Sequence, residues 1–195
     1  MLTTYPIVFK NDVSNSIVLF SVYLDFKPNY MKKYILLFVF TFALISACTS
    51  DKTTTYYLIR HAEKDRTSLM NANPHLNFEG EKRAQKWSNY FTDVKFDAVY
   101  STKYFRTVET ATPTAKTKGL VINYYDPSNM YDSIFQAKTQ GKTVLVVGHS
   151  NTTPVFANTI LGNKIYDSMD DNDNASLYIV TIKGEQKDSK IEKVE

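Results

Sequence analysis

Four basic side chains of this 195-residue sequence stand just after segments that read as β-strands. They are Arg60 and His61 after residues 55–59, Arg106 after residues 96–100, and His149 after residues 143–147. In parallel sheets the carboxyl ends of the strands meet at one edge, so we expect these side chains to gather there. Two arginines and two imidazoles need an anion to balance them, and guanidinium groups match phosphate oxygens in bidentate geometry. The pattern predicts a phosphoryl pocket.

Within such a pocket the two imidazoles can take different parts. One can attack phosphorus while the other stabilises the charge that develops, and a carboxyl group can protonate the leaving oxygen. This scheme requires no metal ion and no cofactor. The sequence has no glycine-rich phosphate loop, because Gly148 stands alone before His149.

The rest of the pattern predicts the elements that must position these residues. Strands are expected at residues 55–59, 96–100, 120–124, 143–147 and 176–182, with an edge segment near Ile191. Helices are expected after an N-cap at Asn77, at residues 106–116, at residues 128–140 closed by Gly141, and at residues 154–161. Alternating strands and helices indicate an α/β sheet with right-handed crossovers. The run Thr-Val-Leu-Val-Val at 143–147, apolar in its last four residues, is typical of a central parallel strand.

Three blocks of the sequence resemble the histidine phosphatase superfamily, also called phosphoglycerate-mutase-like. They are Leu-Ile-Arg-His-Ala-Glu-Lys at 58–64, the block from Ser101 to Ala111, and Val-Val-Gly-His-Ser at 146–150. Leu-Asn-Phe-Glu-Gly at 76–80 is similar to the turn that opens the first helix of that family. The resemblance implies a three-layer α/β/α sandwich with a mostly parallel central sheet, and we place the domain at residues 55–195.

The resemblance also implies roles for individual residues. His61 would accept the phosphoryl group and become phosphohistidine, while Arg60, Arg106 and His149 would bind the phosphoryl oxygens. Lys64 stands where some relatives carry a phosphate-binding arginine, and a surface lysine is the equal alternative. Ala62 replaces the usual glycine of the first block.

The proton donor is the weakest part of this assignment. His149 is followed directly by Ser150, so the His-Asp donor of the phytase-like branch is missing. Asp126 is the nearest acidic residue in the region where mutase-like relatives carry a glutamate, and we expect it to be the general acid. Glu63, two residues after His61, is the alternative.

Composition excludes several other classes. The 23 Lys and Arg against 20 Asp and Glu leave a nearly neutral chain with no electrostatic case for nucleic-acid binding. A single cysteine allows neither an intrachain disulfide nor a cysteine-based zinc site. The acidic residues between Asp167 and Asp173 lack the glycine and terminal glutamate of a calcium loop, so we interpret them as a solvated loop.

Residues 31–48 have the layout of a bacterial lipoprotein signal peptide. Met31 and two lysines precede an apolar run of eleven residues, too short to span a bilayer, and the segment ends in Ile-Ser-Ala-Cys. We expect Cys48 to be lipidated and to anchor the exported protein to the periplasmic or cell-surface face of a bacterial membrane. Residues 1–30 are then an upstream extension and residues 49–54 a tether.

Two functions remain open. The first is a metal-independent phosphatase that hydrolyses phosphomonoesters or phosphohistidine through a phosphohistidine intermediate on His61, with a phosphorylated small molecule or a phosphoprotein as substrate. The second is a lipoprotein that binds a phosphate-bearing ligand on the same fold without turnover.

Overall fold

In the computed structural model, residues 52–195 are described, so the predicted extension, signal peptide and lipidation site lie outside the described residues. The strands are β1 (Thr54–Arg60), β2 (Ala98–Ser101), β3 (Ile122–Tyr124), β4 (Thr143–Gly148), β5 (Ser176–Lys183) and β6 (Gln186–Lys193). The helices are α1 (Phe78–Tyr90), α2 (Phe105–Lys118), α3 (Ser133–Thr139) and α4 (Thr152–Leu161). Strands and helices alternate up to β5, which confirms the predicted α/β class.

The six strands form one sheet in the order β3-β2-β4-β1-β5-β6. β3, β2, β4 and β1 are parallel to one another, and β5 and β6 add an antiparallel hairpin at one edge. The apolar strand β4 lies between β2 and β1, as its composition predicts. The exposed strand β6 closes the edge with charged side chains, which discourages pairing with another chain.

Helices cover both faces of the sheet and bury two apolar clusters. Val144 and Val146 of β4 pack with Phe135 of α3 and Phe156 of α4 on one face. Leu145 and Val147 face the opposite way and pack against the side of α1 and α2, where the largest buried side chain is that of Trp87. This alternation along β4 follows from the two-residue period of a strand, and it produces the predicted three-layer α/β/α sandwich.

The register of the sheet brings the predicted site residues to one edge. Arg60 pairs with Gly148, and the backbone N–H of His61 donates to the Gly148 carbonyl at 2.9 Å. Ser101 at the end of β2 pairs with Val147. The carboxyl ends of β1, β2 and β4 are therefore side by side.

Helix boundaries agree with the prediction except in α3. The side chain of Asn77 caps α1 by accepting from the backbone N–H of Gly80, as expected from its N-cap position. The helix predicted from residue 128 begins only at Ser133, with Asp132 as its N-cap. No helix within residues 52–195 has the length and apolar content needed to cross a bilayer.

Candidate active site

The structure brings all four predicted phosphate-binding residues together. Arg60, His61, Arg106 and His149 line a cavity of about 310 Å³ at the carboxyl ends of the parallel strands. The rings of His61 and His149 lie 5.5 Å apart between centroids. Residues from three separate strand ends thus converge on one small polar space.

His61 is held in the tautomer that a nucleophile needs. Its Nδ1 lies 2.7 Å from the Ala62 carbonyl oxygen, and because a carbonyl can only accept, Nδ1 carries the hydrogen. The lone pair is then on Nε2. Burial, reinforced by the charges of Arg60 and Arg106, lowers the pKa of His61 to about 3, so the ring is neutral near pH 7.

His149 lies between the second arginine and a threonine. Arg106 Nη2 donates to Nδ1 of His149 at 3.4 Å, and His149 Nε2 lies 3.0 Å from the hydroxyl of Thr102. Burial, followed by the charges of Arg106 and Arg60, lowers the pKa of His149 to about 4. A bound dianion would offset these charges and raise that pKa, and Nδ1 of a protonated His149 could then donate a hydrogen bond as well.

The two arginines carry buried hydrogen-bond donors without partners in the described part of the chain. These donors are Nε of Arg60 and both Nε and Nη1 of Arg106. The Arg106 guanidinium also lies over the ring of Tyr104, 4.5 Å from its centroid. Buried donors are costly when unsatisfied, and a phosphoryl group offers the acceptors that would satisfy them.

The predicted general acid lies away from this cluster. Asp126 is exposed, and its carboxylate accepts from the backbone N–H of Ser128 at 2.8 Å and from the Ser128 hydroxyl at 2.6 Å. These hydrogen bonds lower the pKa of Asp126. Its neighbour Pro127 lines the cavity instead. A carboxylate in this environment is a poor proton donor, so the geometry lends Asp126 no support.

Glu63 lines a second cavity of about 560 Å³ that also contacts His61. One of its oxygens pairs with Arg83 Nε at 2.6 Å, and the other is buried without a partner among the described residues. Lys64 lines both cavities, and burial, followed by the nearby Arg66 and Arg106, lowers its pKa. Lys64 therefore lies beside the predicted phosphoryl pocket. Glu63 forms an ion pair with Arg83.

The acidic stretch is mostly exposed, as expected for a solvated loop, but two of its aspartates form ion pairs. Asp171 lines the smaller cavity, and its carboxylate binds Arg60 at 2.7 Å and Arg66 at 2.8 Å. Asp173 binds Lys193 at 2.6 Å, with its side chain only 17% exposed. The sequence does not predict the contact between Arg60 and Asp171, because the two residues are 111 positions apart and share no motif. Within residues 52–195, no three His, Asp or Glu side chains are grouped to hold a metal ion.

A buried neutral imidazole facing arginine donors and a second imidazole has the groups that phosphoryl transfer requires. A family model described as histidine phosphatase superfamily (branch 1) matches residues 56–126, which include Arg60, His61 and Arg106. Comparison with curated proteins gives no match.

Several solved structures share the fold at low sequence identity. A candidate phosphohistidine phosphatase, SixA, from Agrobacterium tumefaciens is 19% identical, with a TM-score of 0.54 over 71% of this chain and 97% of that one. Phosphoglycerate mutase from Bacillus anthracis is 16% identical, with a TM-score of 0.55 over 75% and 94%. Mycobacterial glucosyl-3-phosphoglycerate phosphatase is 12% identical, with a TM-score of 0.55 over 72% and 98%. The family model thus relates residues 56–126 to the histidine phosphatase superfamily, and the solved structures show a shared fold.

Proposed function

We propose that this protein hydrolyses phosphomonoesters or phosphohistidine through a phosphohistidine intermediate on His61. The observation that carries the proposal is the His61 ring, which is neutral, hydrogen-bonded through Nδ1 and free to attack through Nε2. The matched family model and the likeness to a candidate phosphohistidine phosphatase support it.

The chemistry divides into two displacements at phosphorus. In the first, the lone pair of His61 Nε2 forms a bond to phosphorus, and the bond to the leaving atom breaks with its electron pair. A leaving oxygen then takes up a proton from solvent, whereas an imidazole that carries a proton on its far nitrogen departs neutral. In the second, water attacks phosphorus, the P–N bond breaks toward Nε2, and inorganic phosphate departs while the proton of the water passes to phosphate or solvent. Arg60, Arg106 and His149 would stabilise the equatorial oxygens in both steps.

The carboxylates at the site favour substrates with a good leaving group. Glu63, Asp65 and Asp171 are the carboxylates that line the two cavities among the described residues. Glu63 and Asp171 are paired with arginines, and Asp65 accepts from the backbone N–H of Thr67. An imidazole protonated on its far nitrogen leaves phosphorus without help from an acid. Phosphohistidine in a protein or peptide therefore suits this site better than an alkyl phosphate.

The binding-only alternative keeps the same pocket. A protein that binds a phosphate-bearing ligand would also need buried arginine donors. Each carboxylate that lines the two cavities among the described residues already has a partner, which favours binding without turnover for alkyl phosphates. The two functions differ in turnover of substrates that need no acid.

The deciding experiment measures hydrolysis of an aryl phosphate and of a phosphohistidine peptide, with EDTA present. We expect the parent protein to turn over both and His61→Ala to be inactive, because the P–N bond can no longer form. His75→Ala is the matched control, since His75 is exposed and pairs with Glu109 outside both cavities. Phosphate binding by the parent without turnover would establish the binding-only function. A ³²P label that is stable to alkali, labile to acid and lost in His61→Ala would identify the intermediate.

We also propose that the protein acts outside the cytoplasm, anchored to a bacterial membrane through lipid on Cys48. The support is the pattern of residues 31–48 alone. An exported enzyme would meet phosphorylated small molecules or phosphoproteins on the outer side of that membrane.

A further inference from the structure

A short segment before β5, residues 170–174, holds the Arg60 guanidinium. Arg60 is only 2% exposed, and its Nη1 donates to the carbonyl oxygens of Asp170 at 3.0 Å and Asp173 at 3.3 Å. Its Nη2 donates to the carboxylate of Asp171 at 2.7 Å. The two terminal nitrogens of Arg60 are thereby oriented by one segment, which leaves Nε as the buried donor without a described partner.

Two further basic residues, Arg66 and Lys193, bind residues 170–174. The second carboxylate oxygen of Asp171 binds Arg66 Nη1 at 2.8 Å, and the Asp171 carbonyl accepts from Arg66 Nη2 at 3.1 Å. The hydrogen bond from Arg66, together with the charge of Arg60, lowers the pKa of Asp171. Asp173 is tied to Lys193 on β6 at 2.6 Å.

The same segment also touches the strand end that carries the nucleophile. Asn174 is buried, and its side-chain amide donates to the backbone carbonyl of His61 at 2.8 Å. Asp171 lines the smaller cavity, and Asn172 and Asn174 line the larger one. Residues 170–174 thus contact Arg60, His61 and both cavities at once.

Resting on the proposed phosphatase function, we propose that Asp171 is a positioning residue that fixes Arg60 for binding the phosphoryl group. A carboxylate beside an anion site repels the incoming phosphate, so its charge alone works against binding. Its contribution must come from orientation, because a guanidinium binds phosphate oxygens well only when its donors are aligned with them. If only the charge of Asp171 matters, neutralising it should tighten phosphate binding. If Asp171 positions Arg60, neutralising it should weaken phosphate binding.

The test compares Asp171→Asn with Asp167→Asn. Both remove one negative charge from the same acidic stretch, but the Asp167 side chain is 94% exposed, and its one ion pair among residues 52–195 is with Lys164, at 3.9 Å. With the full-length protein, we expect Asp171→Asn to lower kcat for an aryl phosphate about 10-fold and to weaken inhibition by inorganic vanadate, since misplaced groups cost on the order of 10 to 10² in rate. Asp167→Asn should match the parent. Tighter vanadate binding or an unchanged kcat in Asp171→Asn overturns the proposal.

Asp171→Asn could fail to fold, because it removes the charged partner of the buried Arg60 guanidinium. A second variant tests the same role without that loss. Arg66→Gln removes the outer partner of Asp171 and leaves Arg60 paired, and the Arg66 side chain is half exposed. We expect a several-fold fall in kcat with the melting temperature close to that of the parent. An unchanged kcat in Arg66→Gln contradicts the positioning role.

The outcomes separate this inference from the function on which it rests. A parent without turnover refutes the phosphatase, and vanadate affinity then decides the role of Asp171 by itself. Weaker vanadate binding in Asp171→Asn than in Asp167→Asn supports positioning in that case. A parent that turns over while Asp171→Asn equals Asp167→Asn refutes the inference alone.

Discussion

At the scale of single residues, the two site histidines make stability depend on pH. Burial lowers the pKa of His61 to about 3 and that of His149 to about 4, whereas an unfolded histidine has a pKa of about 6.5. Between these values the unfolded chain binds protons that the folded protein does not. The stabilisation is therefore complete above about pH 6.5 and is lost as the pH falls toward 4, by up to about 1.4 kcal/mol per pH unit for each histidine.

Denaturant titrations at pH 7, 6 and 5 measure this dependence. We expect His149→Asn to remove roughly half of the histidine contribution to the slope, because asparagine does not titrate there. Carboxylates contribute to the slope in both proteins and cancel in the difference. Equal slopes for the parent and His149→Asn would show that the folded protein binds protons at His149 as readily as the unfolded chain.

The residues of the site were predictable to the extent that they carry a local signal. Arg60, His61, Arg106 and His149 each follow a strand, and the geometry unites them as expected. The partners of Arg60 gave no such signal. Asp171 lies 111 residues further along the chain, and only the fold decides which acidic residue of a polar loop reaches a buried guanidinium. The acid at Asp126 rested on chain position alone, which contains no information about exposure.

At the scale of elements, strands were easier to place than helix ends. The central strand β4 is almost wholly apolar, and burial on both faces leaves a continuous pattern in the sequence. The exposed edge strand β6 has no such pattern, and the sequence indicates only a segment near Ile191. The start of α3 was misplaced because the chain offers two aspartates that can cap a helix. Asp126 accepts from the N–H of Ser128 and forms a turn, while Asp132 accepts from the N–H of Phe135 and begins the helix. Nothing in the local sequence separates these two uses of aspartate.

The first turn of α1 approaches the strand end that carries the nucleophile. A Cβ added to Gly80 would lie 2.1 Å from the Glu63 carbonyl oxygen, so the backbone itself would have to move. Alanine normally stabilises a helix over glycine by about 1 kcal/mol, whereas overpacking costs about 1 to 3 kcal/mol. We expect the cost to exceed the gain, so that Gly80→Ala lowers the free energy of unfolding by about 1 kcal/mol, measured by urea denaturation.

The same substitution should also lower kcat, because Glu63 is two residues from His61. Lys86→Ala is the matched control, since Lys86 is exposed on the same helix and alanine removes no buried contact there. If Gly80→Ala proved more stable than the parent, helix propensity would outweigh the close approach, and α1 would not constrain the β1 end.

At the scale of the whole molecule, the residues of the proposed site lie within residues 55–161 and 170–174. The proposed membrane anchor lies before them, in residues 31–48. The unit of residues 51–195 contains the six-stranded sheet and every residue of the proposed site. Lipid on Cys48 followed by a tether of about six residues would hold the domain within about 20 Å of a membrane surface. An enzyme so placed would act on substrates that reach that surface.

Cys48, the only cysteine of the chain, is the predicted site of lipidation. We expect a bacterial host given a palmitate analogue to label the parent, and the protein to enter the detergent phase of Triton X-114. Two or more acyl chains on one residue give stable attachment, since each buried CH₂ contributes roughly 0.8 kcal/mol. Cys48→Ser should be unlabelled, and Thr49→Ser is the matched control. Label that persists in Cys48→Ser would refute the site. The mass of the uncleaved Cys48→Ser precursor would also show whether translation begins at Met1 or Met31.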